Sequence, residues 1–272
     1  MPAMQGNQLL FLGGLHRSGT TLLARLLAAH PDVSGFSDTG VPADEGQLLQ
    51  SVYPPASVYG GPGRFGFAPE SHLTESDPLA SEENARRLYE EWSRHWDLSR
   101  PVLLEKSPPN LLKTRFLQAL FPGSPFVVIL RHPIPVSLAT ARWRRTRRYH
   151  RLLEHWLRCH ELFTADRERL ERVHVVRYEE LVREPEPVLR GIFEFLGLEP
   201  IAPSEPVEPG ADARYFRQWQ ELQRDPRMRA YLTLASLRYE RRARRFGYSL
   251  LSPERAVRPS GAASFSHAGS AM

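Results

Sequence analysis

The sequence predicts an α/β protein with one parallel sheet that is flanked by helices on both faces. Short apolar runs such as residues 8–13 and 126–130 are bounded by turn residues, which is typical of buried strands. Longer segments with apolar residues at helical spacing, such as residues 20–29, separate these runs. A glycine-rich loop joins the first strand to the first helix. Strands that are apolar on both faces and alternate with helices indicate a parallel sheet buried between two helical layers.

Each element follows from its own local pattern. Strands are predicted at residues 8–13, 33–36, 102–105, 126–130 and 173–176. Helices are predicted at residues 20–29, 82–97, 111–120, 135–148, 152–170, 186–196 and 225–245. The strand segments are short and apolar or β-branched, whereas the helical segments carry apolar residues three and four positions apart.

The chain is expected to form a single domain over residues 1–250. Residues 38–80 are rich in Gly, Pro, Ser and Tyr and are too long for a simple connection, so we expect a substrate loop there. Residues 251–272 are small and polar and are expected to form a disordered tail.

The composition excludes several classes of protein. Of 272 residues, 41% are hydrophobic and 25% are charged, which excludes a wholly disordered, collagenous or coiled-coil chain. The net charge of +5 favours an anionic ligand or partner. The single cysteine, Cys159, excludes an internal disulfide framework and fits a reducing compartment. No apolar run reaches the ~20 residues of a membrane-spanning helix, so we expect a cytoplasmic protein.

The strongest local motif is the loop Gly-Leu-His-Arg-Ser-Gly-Thr-Thr at residues 14–21, which has the strand–loop–helix context of a phosphate-binding P-loop. Its glycines let backbone N–H groups converge on phosphate oxygens at the start of a helix. Thr20 stands where a P-loop kinase carries lysine, and Arg17 supplies positive charge inside the loop. The strand at residues 126–130 is followed by Arg131, not by an aspartate that would hold Mg²⁺. The pattern favours a nucleotide held without a metal, with a P-loop kinase-like phosphotransferase as the alternative.

Three motifs resemble those of sulfotransferases that use 3′-phosphoadenosine 5′-phosphosulfate (PAPS). The segment LHRSGTTLLARLLAAHPDV at residues 15–33 is similar to the 5′-phosphosulfate loop of the tyrosylprotein, heparan-type and bacterial members. LRHP at residues 130–133 is similar to the segment that binds the 3′-phosphate, and RYEEL at residues 177–181 to the segment whose tyrosine contacts the cofactor. The resemblance covers residues 9–198 and implies the sulfotransferase fold. It also implies metal-free, in-line transfer of a sulfuryl group from PAPS to an acceptor hydroxyl or amine, with 3′-phosphoadenosine 5′-phosphate (PAP) leaving.

The resemblance assigns cofactor-binding roles residue by residue. The 5′-phosphosulfate would be held by Arg17, Ser18, Gly19, Thr20 and Thr21. Arg131 would bind the 3′-phosphate, and Tyr178 would contact the cofactor. The family usually places a serine eight residues after this arginine, where the chain has Ala139. Thr140 is the better-placed substitute, because Ser137 lies about 200° from position 139 around a helix.

The same resemblance implies catalytic residues. Lys106 is one of only two lysines among 36 basic residues, and its ammonium suits the bridging oxygen that gains charge as the S–O bond breaks. Arg17 would stabilise the transferred group. Asp38 falls where the tyrosylprotein enzymes have their catalytic glutamate, and Glu45 is the second candidate for the base that activates the acceptor.

Three residues near these motifs are expected to have structural roles. His16 would pack within the loop, and Glu105 would form an ion pair with Lys106. Lys113, the other lysine, would lie on the surface of a helix.

The acceptor is not identified by the sequence. Tyrosine, a sugar, a lipid head group and a small natural product all present a hydroxyl, so a small-molecule, peptide or carbohydrate acceptor is expected beneath residues 51–69. Formation of a homodimer is also left open. The basic run RWRRTRRYHR at residues 142–151 carries the alternative of nucleic-acid binding. We expect no nucleic-acid partner, since the run follows the segment assigned to the 3′-phosphate and no known nucleic-acid module accompanies it.

Overall fold

A parallel sheet forms the centre of the computed structural model, which describes residues 6–208 and 210–253. In chain order, its five strands are β1 (Gln8–Gly14), β2 (Val33–Gly35), β3 (Val102–Lys106), β4 (Phe126–Leu130) and β5 (Val173–Arg177). They lie side by side in the order β2-β3-β1-β4-β5, and every neighbouring pair is parallel. The predicted α/β class with a parallel sheet is confirmed.

Helices cover the sheet on both faces, as predicted. They are α1 (Thr20–Ala28), α2 (Glu82–Ser93), α3 (Thr114–Leu120), α4 (Pro133–Arg144), α5 (Tyr149–Arg167), α6 (Tyr178–Arg183), α7 (Pro185–Leu196), α8 (Ala213–Leu222) and α9 (Pro226–Arg244). Alternate residues of β1 point to opposite faces, because side chains along a strand have a period of two. Leu10 and Leu12 pack with α1 and α7, whereas Leu9 and Phe11 pack with α2 and α3.

Local chemistry moves two helix boundaries away from the predicted ones. The helix expected at residues 111–120 is split into a 3₁₀ turn, Pro108–Leu112, and α3. The helix expected at residues 135–148 begins at Pro133, after the His132 side chain accepts a hydrogen bond from the Ile134 N–H at 3.1 Å. It ends at Arg144 because Arg145 adopts a left-handed conformation with φ of 50°.

Two helices were not expected from the sequence. The six-residue α6 follows β5 without a loop, and α8 is short and largely polar. Trp219 is the buried residue of α8, which packs against α4. The apolar residues of α8 do stand at helical spacing, but they follow directly on a Pro- and Glu-rich stretch that reads as a loop.

The long segment expected to be a substrate loop packs against the core through short 3₁₀ turns. These turns are Pro42–Asp44, Gly46–Leu48, Ala56–Tyr59, Phe65–Phe67 and Pro69–Ser71. Tyr53 and Phe65 are buried beneath them. The tail expected at residues 251–272 lies outside the described residues from position 254 onward. Across the described ranges, none of the helices has the length and apolar character needed to cross a membrane.

Lys113 is buried, so the expectation of a surface lysine is wrong. Its side chain is 2% exposed, and its Nζ donates a hydrogen bond to the Ser71 carbonyl at 3.4 Å and lies 5.5 Å from the centre of the Tyr53 ring. Burial lowers the pKa of Lys113 to about 8, against the opposing charge of Glu105. The residue was misjudged because the segment at residues 69–73, distant in sequence, covers it.

Replacing Lys113 with methionine is expected to stabilise the fold at pH 7. The change removes a buried ammonium while keeping side-chain length, so the free energy of unfolding should rise by about 1–3 kcal/mol. The wild-type protein should recover this difference as pH rises from 8 to 10.5, because the folded state loses its proton before the unfolded state does. Urea unfolding of Lys113→Met and of an exposed control, Arg86→Met, at pH 7 and pH 10 measures both effects. A less stable Lys113→Met variant at pH 7 would contradict the prediction.

Candidate active site

The loop between β1 and α1 forms one wall of the site at the carboxyl edge of the sheet. Ser18 is fully buried, and its Oγ has no hydrogen-bond partner within residues 6–208 and 210–253. Gly19 precedes α1 with φ of 99°, and a Cβ there would lie 2.5 Å from the Tyr178 ring, so only glycine fits. No side chain caps α1, and its first turn contains no acidic residue. This helix terminus is therefore suited to bind an anion.

Arg131 follows β4 and lies across the loop. It is 7% exposed, and its Nη1 donates a hydrogen bond to the Arg17 carbonyl at 2.8 Å. Its guanidinium carbon lies 3.9 Å from the centre of the Tyr178 ring. The three sequence motifs at residues 14–21, 130–133 and 177–181 thus meet at one edge, because β1, β4 and β5 are neighbouring parallel strands.

Asp212, which precedes α8, holds the other side of Arg131. Its Oδ1 accepts a hydrogen bond from the Arg131 Nε at 3.0 Å. Its Oδ2 is buried and finds no partner in the part of the chain that is described. Sequence reasoning missed Asp212 because 81 residues separate it from Arg131. The residue predicted to bind an anion therefore has a carboxylate at its guanidinium.

A second carboxylate that the sequence did not single out fixes the end of β4. Glu179 accepts hydrogen bonds from the backbone N–H of His132 at 2.7 Å and from the Tyr248 hydroxyl at 3.0 Å. Burial raises the pKa of Glu179, against the hydrogen bond from His132. Because Tyr178 and Glu179 are adjacent, this anchor also holds the Tyr178 ring at Arg131.

Lys106, the last residue of β3, lies beneath the segment that follows β2. It is 5% exposed, and its Nζ donates a hydrogen bond to the Ala43 carbonyl. Burial lowers the pKa of Lys106, while the charges of Glu45, Glu105 and Asp44 act in the opposite direction. The lysine predicted to be catalytic is thus buried among acidic residues at the same sheet edge as the loop.

The two carboxylates predicted as the base lie in different settings. Glu45 is half-buried, and its Oε2 accepts a hydrogen bond from the Gln47 Nε2. Burial raises the pKa of Glu45, against the Gln47 hydrogen bond and the charge of Lys106. Asp38 is exposed and has a left-handed backbone with φ of 52°. Of the two, Glu45 is the one whose charge is coupled to Lys106.

Aromatic contacts connect the loop to the end of α4. The Arg17 guanidinium carbon lies 4.6 Å from the centre of the Trp143 ring. The His16 ring lies 6.0 Å from Trp143 and 5.8 Å from Phe65, centre to centre. Burial, followed by the positive charges of Lys106 and Arg17, lowers the pKa of His16 to about 3. His16 therefore packs in the loop as a neutral imidazole.

The hydroxyls predicted near the 3′-phosphate line a separate small cavity. Ser137 and Thr140 share its wall with His16 and Gly63. The Ser137 Oγ and the His16 Nδ1 are both buried without a partner among the described residues. The role of Ser137 and Thr140 toward a 3′-phosphate stays a prediction.

Glu105 turns away from Lys106, so the expected ion pair is wrong. Its Oε1 accepts a hydrogen bond from the Ser107 hydroxyl at 2.5 Å, and its Oε2 accepts one from the Asn110 side-chain amide. Adjacent side chains on a strand point to opposite faces, which separates Glu105 from Lys106. Burial raises the pKa of Glu105 to about 7 despite these two hydrogen bonds.

A cleft of about 700 Å³ opens beside Lys106 on the side of β2. Its walls include Thr21 at the start of α1, Gly35 at the end of β2, and Asp44. A molecule in this cleft would contact both the start of α1 and Lys106. In the described ranges, no group of three or more His, Cys, Asp and Glu side chains is arranged to hold a metal ion.

Comparison with known proteins finds one family. The model described as "Sulfotransferase family" matches residues 10–203. Protein-tyrosine sulfotransferase 2 of Gallus gallus is 27% identical over 199 residues, which cover 70% of this chain and 51% of the relative. Protein-tyrosine sulfotransferase 1 of Danio rerio is 27% identical over 197 residues, which cover 70% of this chain and 53% of the relative. The chain spans about half the length of these curated relatives.

The chain also matches solved structures of sulfotransferases. Sulfotransferase STF1 from Mycobacterium tuberculosis H37Rv is 17% identical with a TM-score of 0.48, over 71% of this chain and 68% of that chain. The sulfotransferase domain from the Synechococcus PCC 7002 olefin synthase is 22% identical with a TM-score of 0.47, over 71% of this chain and 74% of that chain. Mouse sulfotransferase SULT7A1, complexed with PAP, is 18% identical with a TM-score of 0.42, over 79% of this chain and 66% of that chain.

The buried Glu105 is expected to make stability depend on pH. Its pKa is about 7 in the folded state and 4.5 as the ordinary value, so the folded protein keeps a proton that the unfolded chain releases. The contribution of Glu105 to the free energy of unfolding should therefore fall by up to about 3 kcal/mol as pH rises from 4.5 to 7, opposite to the contribution of buried neutral histidines such as His16. The difference in the free energy of unfolding between the wild type and Glu105→Gln should change by this amount over the range, whereas the difference between the wild type and Glu221→Gln, on the exposed face of α8, should stay constant. Urea unfolding across this pH range measures both differences, and a constant difference for Glu105→Gln would refute the assignment.

Proposed function

Because the chain belongs to the sulfotransferase family, we propose that it transfers a sulfuryl group from PAPS to a hydroxyl or amine of an acceptor. One observation carries the proposal: the loop with the unpartnered Ser18 hydroxyl lies against Arg131 and Tyr178 at the carboxyl edge of the sheet. Two anion-binding features thus stand side by side, which suits a ligand with an anionic group at each end. Membership of the sulfotransferase family argues against the alternative of a P-loop kinase-like phosphotransferase.

The residues at this edge fit the donor. The Ser18 hydroxyl is buried and lacks a partner, so an oxygen acceptor in front of the loop would satisfy it. A side chain at position 19 would collide with the Tyr178 ring, so the loop can pack against Tyr178 only with a glycine there. Arg17 adds a guanidinium beside these groups, and Arg131 adds a second. We propose that Arg17, Ser18, Gly19, Thr20 and Thr21 hold the 5′-phosphosulfate, and that Arg131 and Tyr178 hold the 3′-phosphate end.

Bound PAPS supplies the sulfuryl group and a phosphate leaving group. Lys106 would turn its ammonium from the Ala43 carbonyl toward the oxygen that gains negative charge. Glu45 would accept the proton of the acceptor, since its raised pKa brings it nearer to that of a useful base. Arg17 would face the transferred group, its guanidinium held against Trp143. The chain's contribution is therefore mainly the position and the charge of these groups.

The reacting hydroxyl or amine of the acceptor would lie at the end of the cleft beside Lys106, beneath the segment at residues 36–44. Both signs of charge line this cleft, including Arg25, Arg100 and Asp44, together with the ring of Phe36. Such a lining suits a polar acceptor with an apolar part, as a tyrosine side chain or a substituted sugar has. A protein acceptor is consistent with the names of the curated relatives.

Binding of PAP tests the donor site. Arg131→Ala should weaken PAP binding about tenfold or more, since a charged hydrogen-bonding group is lost from a largely buried position. Asp212→Asn should tighten PAP binding several-fold, because the carboxylate that competes for Arg131 is removed. Glu221→Gln makes the same charge change on α8 and should leave the affinity unchanged. Isothermal titration calorimetry measures all three variants.

Two outcomes of this titration would contradict the proposal. Preference of the wild-type protein for ATP·Mg²⁺ over PAP would exclude the sulfotransferase function. Unaltered PAP affinity in Arg131→Ala would leave the function standing and would overturn the assignment of the 3′-phosphate site.

The choice between the two candidate bases can be read from turnover. Glu45→Gln should lower kcat by about 10²- to 10⁴-fold, the usual contribution of a positioned base. Asp38→Asn should change kcat by less than about threefold, since Asp38 is exposed. Because burial raises the pKa of Glu45, wild-type kcat should fall as pH drops through a value above 4.5. Chromatographic measurement of PAP formed from PAPS, with a panel of phenol, sugar and amine acceptors, gives these values. The reverse ranking of the two variants would assign the base to Asp38.

A further inference from the structure

A second cavity lies at the far end of α4 and is rich in arginine. Its volume is about 540 Å³, and it lies between residues 59–68 and residues 144–152. Four arginines and two aromatic residues contribute to its wall: Arg64, Arg144, Arg148, Arg151, Tyr59 and Phe67. Three of these arginines belong to the basic run at residues 142–151, to which the proposed reaction gives no role.

Among the described residues, no Asp or Glu lines this arginine-lined cavity; Glu70 and Asp77, whose charges act on Tyr59, lie outside its wall. By contrast, Arg242 is paired with Glu154 and Glu161, at 2.8 and 2.7 Å. The electrostatic potential around the cavity is positive. The charges of Arg151 and Arg148 lower the pKa of His150, in addition to the larger effect of burial. Like charges gathered around one cavity repel each other, and an anion in the cavity would relieve that repulsion.

Two of the four arginines are held in place by neighbouring groups. The Arg144 Nη1 donates a hydrogen bond to the Gly60 carbonyl at 2.7 Å. The Arg151 guanidinium carbon lies 5.4 Å from the centre of the Phe67 ring. Guanidinium groups fixed in this way lose less conformational entropy when they bind an oxyanion. Gly63 keeps the wall open, because a Cβ there would lie 2.5 Å from Leu152.

The arginine-lined cavity adjoins the proposed transfer centre. Trp143, which precedes Arg144 in the chain, packs on the guanidinium of Arg17. Gly63 and Leu152 line both this cavity and the small cavity that contains His16 and Ser137. The buried His16 Nδ1 and Ser137 Oγ, which lack partners among the described residues, belong to the small cavity that borders the arginine-lined cavity.

The arginine-lined cavity is separate from the proposed donor site. Arg131 precedes α4, and Arg144 ends it. The eleven residue steps from Pro133 to Arg144 correspond to about 16 Å along a helix. An anion held by Arg144, Arg148 and Arg151 is therefore not the phosphate assigned to Arg131.

We propose that this cavity binds an anionic group of the acceptor: a phosphate, sulfate or carboxylate on the same molecule as the reacting hydroxyl. The inference rests on the proposed function, because it assigns the substrate class of that reaction. The guanidinium forks match the oxygens of such groups, and the Tyr59 and Phe67 rings pack against the body that carries them. Nucleic acid fits this arrangement less well, since the arginines surround one cavity from two segments of the chain, residues 59–68 and 144–152.

The test compares Arg148→Gln/Arg151→Gln with a control of equal charge, Arg86→Gln/Arg190→Gln. All four arginines are exposed, so both double variants should fold. The first measurement is calorimetric binding of pyrophosphate to protein saturated with PAP, which keeps the donor site filled. We expect the wild type and the control to bind pyrophosphate, and Arg148→Gln/Arg151→Gln to bind it at least tenfold more weakly. Equal binding by all three proteins would overturn the site.

The second measurement tests whether the preferred acceptor carries the anionic group. PAP formation from PAPS is followed with matched acceptors: tyramine against 3-(4-hydroxyphenyl)propionate, N-acetylglucosamine against its 6-sulfate, and glucose against glucose 6-phosphate. We expect kcat/KM to be at least tenfold higher for the anionic member of one pair. Arg148→Gln/Arg151→Gln should lose that preference while keeping its PAP affinity and its activity on the neutral member. No preference in any pair would overturn the acceptor role.

Failure of the proposed function and failure of the cavity assignment give different experimental results. If the protein does not bind PAP or turn over PAPS, the proposed function fails, and pyrophosphate binding still reports on the cavity. If PAPS is turned over but pyrophosphate does not bind, only the cavity assignment fails. A salt-sensitive gel shift of a duplex DNA or single-stranded RNA oligonucleotide that Arg148→Gln/Arg151→Gln abolishes would overturn the acceptor role in favour of nucleic-acid binding.

Discussion

Burial of one carboxylate, that of Glu105, governs the layout of the site. It accepts hydrogen bonds from Ser107 and Asn110, and Ser107 in turn accepts one from the Gln47 backbone N–H at 2.8 Å. A side chain at Gly46 would collide with the same carboxylate, so the segment after β2 closes directly over it. A buried polar group must find partners inside the protein; here the partners are Ser107 and Asn110, and Ser107 in turn binds the segment that carries Glu45.

The last helices of the chain complete the site through two other carboxylates. Asp212 bonds to Arg131, and Glu179 joins the end of β4 to Tyr248. Both Asp212 and Tyr248 lie beyond residue 203, where the family match ends. The part of the chain that the family model does not describe thus controls the guanidinium at the heart of the proposed donor site. A movement of α8 would therefore also move Asp212 and change the negative charge next to Arg131.

Most of the fold could be predicted because its determinants are local. The strand at Phe126–Leu130 has its predicted bounds, since a short β-branched run that is apolar on both faces is typical of a buried strand in a parallel sheet. The end of α4 could not be predicted, because the left-handed Arg145 interrupts a polar run with good helix propensity. α8 was missed although its apolar residues stand at helical spacing; what the sequence does not show is that this apolar side packs against α4.

The sequence by itself determined the strand–loop–helix motif with Arg17 and the strand-end position of Arg131, because short spacing in the chain imposes both. It also determined the sheet, whose parallel order brings these two residues to one edge. Only the tertiary structure decided that Lys113 is buried, that Glu105 turns from Lys106, and that Asp212 reaches Arg131. Those outcomes depend on which distant segments exclude water from a side chain, and burial of a charged group is a property of the packed molecule rather than of any stretch of sequence.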